Sequence, residues 1–286
     1  MSQSESPTGA EKRGARVLVV ANQKGGVGKT TTTANLGTAL AMQGKKVAVL
    51  DADIGLRNLD AVMGLENRIV YDLVDVVEGQ CRLRQALIKD KRLPELYLLP
   101  AAQTRDKNAV NSVQMEQLCQ QLRQDFDFVL IDSPAGIEQG FRNAIVGADE
   151  IIIVANPEMA SVRDADRIIG LVEAAGKAEP RLIINRLRPE MVRRGDMMDV
   201  TDVLEVLGID LLGIVPEDEM IIVAINKGEP IVYDKHSQAG RAFVSAAQRI
   251  MGEEIPLDEI EDAPTLMERL RRLLGFGPAM ERRVRS

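Results

Sequence analysis

The chain has 286 residues, enough for one large α/β domain or two small ones with a full buried core. A net charge of −7 and a pI near 5.1 argue against a protein that coats nucleic acid, and no nucleic-acid partner is expected. Two distant cysteines, Cys81 and Cys119, and the single His236 supply neither a disulfide framework nor a zinc or iron–sulfur site within one chain, and point to the cytosol.

Residues 1–14 are rich in Ser, Glu and Gly without an apolar core, and read as a loose tail, not a signal peptide. No apolar run approaches the roughly 20 residues of a spanning helix. From there, β-type apolar runs alternate with amphipathic stretches. The runs predict strands at Arg16–Ala21, Val47–Leu50, Leu96–Leu99, Phe126–Ile131, Glu150–Ala155, Arg181–Ile184 and Leu211–Val215. Between them, helical periodicity predicts Thr30–Met42, Ser112–Gln124, Gln139–Val146, Ser161–Ala175, Met197–Leu207 and Gln238–Met251. Near-continuous Val/Ile/Leu strands imply burial on both faces. The expected architecture for 15–251 is therefore an α/β fold, a doubly wound and mostly parallel sheet with helices on both faces. After Met251 the composition changes. Gly252–Asp262 holds six acids and reads, through 264, as a solvated linker; Ala263–Ser286 then carries six arginines against Glu268 and Glu281.

The first predicted strand runs into Lys24-Gly25-Gly26-Val27-Gly28-Lys29-Thr30-Thr31 and then a helix. Glycines let backbone N–H groups converge on phosphate oxygens, and the helix N-terminus adds partial positive charge. In such a loop Lys29 reaches the β and γ phosphates and the Thr30 hydroxyl sits on Mg²⁺, so the pattern predicts a nucleoside triphosphate site. The common form G-x-x-x-x-G-K-[ST] has glycine where this chain has Gln23, and a second lysine, Lys24, stands inside the loop. Two further strands end in acids: Asp51-Ala52-Asp53, and Asp132 followed by Ser133-Pro134-Ala135-Gly136. Asp132 suits Mg²⁺, directly or through water; Asp51 and Asp53 address the metal region or orient the attacking water. Strand-end acids are usually turn or cap residues, and only their company with the loop favours the chemical role.

The loop, the D-A-D segment and the D-S-P-A-G segment resemble the deviant Walker-A ATPases, the ParA–MinD family that includes partition proteins and nitrogenase iron protein. Asp53-Ile54-Gly55-Leu56-Arg57-Asn58-Leu59-Asp60, Asp132–Glu138, and Asn156-Pro157-Glu158 with Ser161–Arg167 are similar to the MinD branch in particular. The likeness runs from about Arg16 to the end. It departs at Gln23, where MinD proteins commonly have glycine and partition proteins often this glutamine. The resemblance implies a Mg²⁺-dependent ATPase, slow without an activating partner. By it, Gly25 to Thr31 bind the nucleotide, and Lys24 crosses a dimer interface to the partner's ATP. Lys24, Lys29 and Asp53 then form the catalytic set, and Thr30, Asp51, Asp53 and Asp132 surround the metal. Asn185, Arg186, Pro216, Glu217 and Asp218 match positions on the adenine side, and Glu158, Asp164 and Asp166 the dimer and partner surface. The implied partners are a second copy held by ATP, a MinC-like inhibitor of FtsZ ring assembly and, where one exists, a MinE-like activator; the implied role is placement of the division septum. Two other readings stay open: a ParA-type partition ATPase acting on DNA, and an ATP-binding membrane scaffold with negligible turnover.

The last segment, 265–286, adds a membrane reading. Thr265 and Glu268 fit a capping box. Leu266, Met267, Leu270, Leu273 and Leu274 fall within an arc of about 120°, opposite Glu268, Arg269, Arg271 and Arg272. Gly275 supplies a stop and Phe276 a further anchor. A basic amphipathic helix behind a linker predicts an anionic lipid surface; a core-packed terminal helix and a partner-binding segment are the alternatives. Each arginine contributes about 1 kcal/mol near such a surface, while ordering the backbone costs about 1–2 kcal/mol per residue. One copy therefore binds weakly, and a pair joined by ATP gains around 10²–10⁴ in avidity. The expected location is cytoplasmic, and peripheral on the inner membrane in the ATP state.

Overall fold

In the computed structural model the described residues are 14–106 and 108–257; the predicted membrane helix over 265–276 and nearly all of the N-terminal tail lie outside them. The strands are β1 (Arg16–Ala21), β2 (Val47–Asp51), β3 (Ile88–Lys89), β4 (Leu96–Leu99), β5 (Phe128–Asp132), β6 (Glu150–Ala155), β7 (Arg181–Leu187) and β8 (Leu211–Pro216). They form one sheet in the order β3-β4-β2-β5-β1-β6-β7-β8. All pairings are parallel except that of the edge strand β3 with β4. The helices are α1 (Lys29–Met42), α2 (Leu59–Met63), α3 (Leu73–Val77), α4 (Leu83–Ala86), α5 (Ser112–Asp125) and α6 (Gln139–Ile145). They continue with α7 (Met159–Ala174), α8 (Pro189–Arg194), α9 (Val200–Leu207), α10 (Met220–Asn226) and α11 (Gln238–Ile250).

The period-2 alternation of each strand feeds two cores. Val17, Val19 and Ala21 of β1 join Ile131, Ile151 and Ile153 under α5, α6, α7 and α9. Leu18 and Val20 point the other way, with Val49, Leu130, Ile152 and Val154, into a core closed by α1 and α11. Buried on both faces, these strands have no polar side to present, which is why they read as continuous apolar runs. Parallel pairing brings every strand's carboxyl end to one rim, where open α/β sheets bind their ligands.

The expected doubly wound sheet is present, with local differences. β5 begins at Phe128, not Phe126, because the Phe126 N–H donates to Leu122 O and closes α5. α9 starts at Val200, not Met197, because Asp199 caps it, accepting from the Asp202 N–H at 2.7 Å. α7 starts two residues before the predicted Ser161. Periodicity gave no sign of β3, α2, α3, α4, α8 or α10. None of those helices exceeds seven residues, too few for an amphipathic repeat to show.

Candidate nucleotide site

Hydrogen bonds within the chain hold both ends of the glycine-rich loop. Asn22, buried at the end of β1, donates through Nδ2 to Val154 O at 2.6 Å and accepts the Lys24 N–H at 2.9 Å, so β6 sets the entry of the loop. At its far end Gly28 caps α1 with φ of +103°, and a Cβ there would lie 2.3 Å from Asn185 Nδ2. Only glycine fits that approach. Asn185 uses the same amide to donate to Val27 O at 2.8 Å, so an asparagine expected on the adenine side also clamps the loop. No side chain caps α1, which leaves its N-terminal N–H groups to a ligand.

Lys29 lies folded into this cradle, 8% exposed, with Nζ donating to Lys24 O at 3.2 Å. Burial lowers its pKa, against the opposing pull of Asp132 and Asp53. A half-desolvated ammonium beside open N–H groups is suited to anionic oxygens.

Asp132 is 2% exposed at the end of β5, in register with Asp51 on β2 and Val20 on β1. Burial first, and the Asp51 charge second, push its pKa well above the usual carboxylate range, while a hydrogen bond with Thr30 pulls the other way. Its Oδ1 has no hydrogen-bond partner. A buried carboxylate with an orphaned oxygen beside the Thr30 hydroxyl fits a hard cation that both groups would contact. Among the described residues no three His, Cys, Asp or Glu side chains gather as a cage.

Asp51, expected to address the metal region directly or through water, is held by the backbone around it. It is fully buried, and Oδ1 accepts the Asp53 N–H at 2.9 Å while Oδ2 accepts those of Asn58 and Leu59 at 3.0 and 3.1 Å. Each oxygen has at least one backbone partner. Burial nonetheless pushes its pKa up to about 6. Asp51 thus shapes the loop that presents Asp53 and starts α2. The turn is tightened by Arg57, left-handed at φ +29° and paired through Nε with the buried Asp60 at 3.0 Å. Asp51→Ala would strip three N–H groups of their acceptor. We expect it to lower the unfolding free energy, read by urea titration, by about 2–4 kcal/mol.

The acid-bearing loop after β5 is coupled to the cradle: the Gly136 N–H donates to Gln23 O at 2.8 Å. Lys24 Nζ stands 3.5 Å from Glu158 Oε2, an exposed pair that contributes little in water. Glu158 is the N-cap residue of α7, with Asp164 half-buried and Asp166 exposed further along that helix. Arg186, Pro216, Glu217 and Asp218 meet at the ends of β7 and β8. Arg186 is left-handed at φ +57°, where the register between these strands slips. Its Nε lies 4.0 Å from Glu217, Arg188 lies 3.8 Å from the same carboxylate, and Asp218 accepts from Ser237 Oγ at 2.6 Å. A cavity of about 880 Å³, lined by Glu158, Met159, Arg186, Arg188, Met191 and Glu217 among others, opens there. Sequence reasoning missed Asn22 and the Arg188–methionine wall. A polar residue directly after a wholly apolar strand was the available signal for Asn22.

A family model described as an AAA domain matches residues 15–184. The septum site-determining protein MinD of Bacillus subtilis is 57% identical over 247 residues, 86% of this chain and 92% of that one. The Escherichia coli K12 protein of the same name is 49% identical over 257 residues, 87% of this chain and 95% of its own length. Among solved structures, the MinC:MinD cell division protein complex of Aquifex aeolicus superposes with a TM-score of 0.80 at 48% identity, covering 86% of this chain and 99% of that one. The Pyrococcus horikoshii septum site-determining protein MinD complexed with Mg-ADP gives 0.76 at 29% identity, over 84% and 100%. With its loop lysine, orphaned acid and helix N-terminus on one rim of this sheet, the chain belongs to the MinD family of septum site-determining ATPases.

Proposed function

We propose that this chain is an ATPase that dimerises around ATP, docks on the inner membrane face and helps place the division septum by recruiting a MinC-like inhibitor of FtsZ ring assembly. The orphaned Asp132 Oδ1 beside Thr30, at the open end of α1, carries the nucleotide part of this reading. Thr30 and Asp132 would hold Mg²⁺, which when bound offsets charge on the β and γ phosphates. The N–H groups of Gly25 to Thr31 and the Lys29 ammonium bind phosphate oxygens, and Asp53 orients the attacking water. Asn185 holds the loop closed while Arg186 and Glu217, with Pro216 and Asp218, border the base. Turnover is slow until a MinE-like partner, where one exists, completes the site.

Lys24 supplies the switch. Two loops that each carry this lysine repel unless an anion lies between them, so two copies approach only around bound triphosphate. Each Lys24 leaves Glu158 of its own chain for the nucleotide of the other. Glu158, Asp164 and Asp166 then border the surface where the inhibitor docks. A pair of C-terminal segments on one dimer grips lipid through residues 265–276. No helix among the described residues is long and apolar enough to cross a membrane. The similarity at 57% and 49% identity to MinD proteins favours this reading over a DNA partition role.

Lys24→Ala tests the switch. We expect ATP-dependent dimer, measured by light scattering with the Mg²⁺–ATP complex, to fall at least about 10-fold, the loss of one charge-assisted contact per site. Dimer at the level of the unaltered chain would remove the cross-interface role.

A further inference from the structure

The chain leaving α11 does not run free; it turns back onto the sheet. α11 ends at Ile250 with Met251 as its cap, and Gly252 follows with a φ of +91° that suits glycine. The Gly252 N–H donates to Arg249 O at 3.0 Å and the Glu253 N–H to Gln248 O at 3.1 Å, a double closure that reverses the backbone. Gln248 Nε2 also donates to Glu253 Oε2 at 3.1 Å. The Arg249 guanidinium then gathers three carbonyls. Its Nε donates to Ile255 O at 2.8 Å, one terminal nitrogen to Leu212 O at 2.9 Å, and the other to Pro256 O. Leu212 belongs to β8, the outer strand of the sheet. One side chain thus ties the returning segment to the sheet edge, with a rigid fork that a lysine lacks.

We propose that Arg249 is a positioning residue that fixes where the C-terminal segment leaves the domain, and so sets the reach of its contact with an anionic lipid surface. This rests on the reading of 265–276 as lipid-binding. The acidic stretch expected to be one linker from 252 to 264 is divided at this clamp. Residues 252–257 belong to the domain, and 258–264 alone separate them from Thr265. Seven residues span at most about 25 Å, whereas the thirteen from 252 would span about 45 Å. For two segments carried by one dimer, the local concentration of the second falls as roughly the −3/2 power of tether length, about 2.5-fold for this change.

The test uses the whole chain with ATP on vesicles of phosphatidylcholine and phosphatidylglycerol. Arg249→Ala is expected to bind them 2- to 3-fold more weakly, with turnover in solution unchanged and with faster glutamyl-endopeptidase cleavage after Glu253 or Glu254. Deleting 258–263 in the same variant restores the short tether and should recover vesicle affinity, which repair of mere instability would not do. Vesicle affinity or cleavage rate unaltered by R249A overturns the proposal alone, as does a loss that the deletion leaves in place. A wild-type chain that ignores vesicles in ATP overturns it together with the membrane reading.

Discussion

Asp53→Ala is expected to slow phosphate release on vesicles by about 10²-fold or more, the usual range for a group that handles the attacking water. ATP binding should survive, because the loop is held by the Asp53 backbone N–H on Asp51, not by the carboxylate of Asp53. The acid is close enough to the cradle for its charge to act on Lys29. With hydrolysis blocked, dimers should persist, and the variant should stay on vesicles after activator is added. Turnover equal to that of the unaltered chain would assign the water to another residue. The contrast with Asp51 is physical. Two carboxylates two residues apart sit differently: one is buried and accepts three backbone N–H groups, the other is half-buried at the rim.

The second large effect is expected from ending the chain at Pro264. Removing Leu266, Met267, Leu270, Leu273, Leu274 and Phe276, with Arg269, Arg271 and Arg272, would take away the apolar and the cationic parts of the proposed lipid contact together. Both members of a dimer lose it, so avidity is lost as well, and vesicle affinity should drop by at least about 10²-fold. Nucleotide binding should be unchanged, since the described phosphate-loop contacts come from β1, α1, β6 and β7 and not from this segment. Truncated protein that still sediments with vesicles in ATP would place the lipid contact elsewhere.

The strands were legible because burial on both faces leaves only apolar residues, and the loop because glycines and lysines sit together where phosphate needs them. Asp132 was legible as an acid closing such a strand. What stayed hidden depends on partners remote in the chain. Asn185 reaches Val27 across 158 positions, and Asn22 reaches Val154 across 132, so nothing local names the partner of either amide. The spacing of Asp51 to Asp53 likewise says nothing of the N–H groups that the following turn aims at Asp51. The helical pattern of 238–251 does not mark Arg249, whose bonds to three carbonyls form only where the chain doubles back to β8.

Nucleotide-dependent occupancy of vesicles tests the central claim most directly. With the full chain on phosphatidylglycerol-containing vesicles, a non-hydrolysable ATP analogue should raise the bound fraction, at matched protein concentration, far above that with ADP or without nucleotide. The predicted gain lies toward the 10²–10⁴ range expected when two weak lipid contacts act as one. Equal binding in the ATP-analogue and ADP states would contradict the account, because the lysine-gated pairing of subunits would then have no part in holding the membrane.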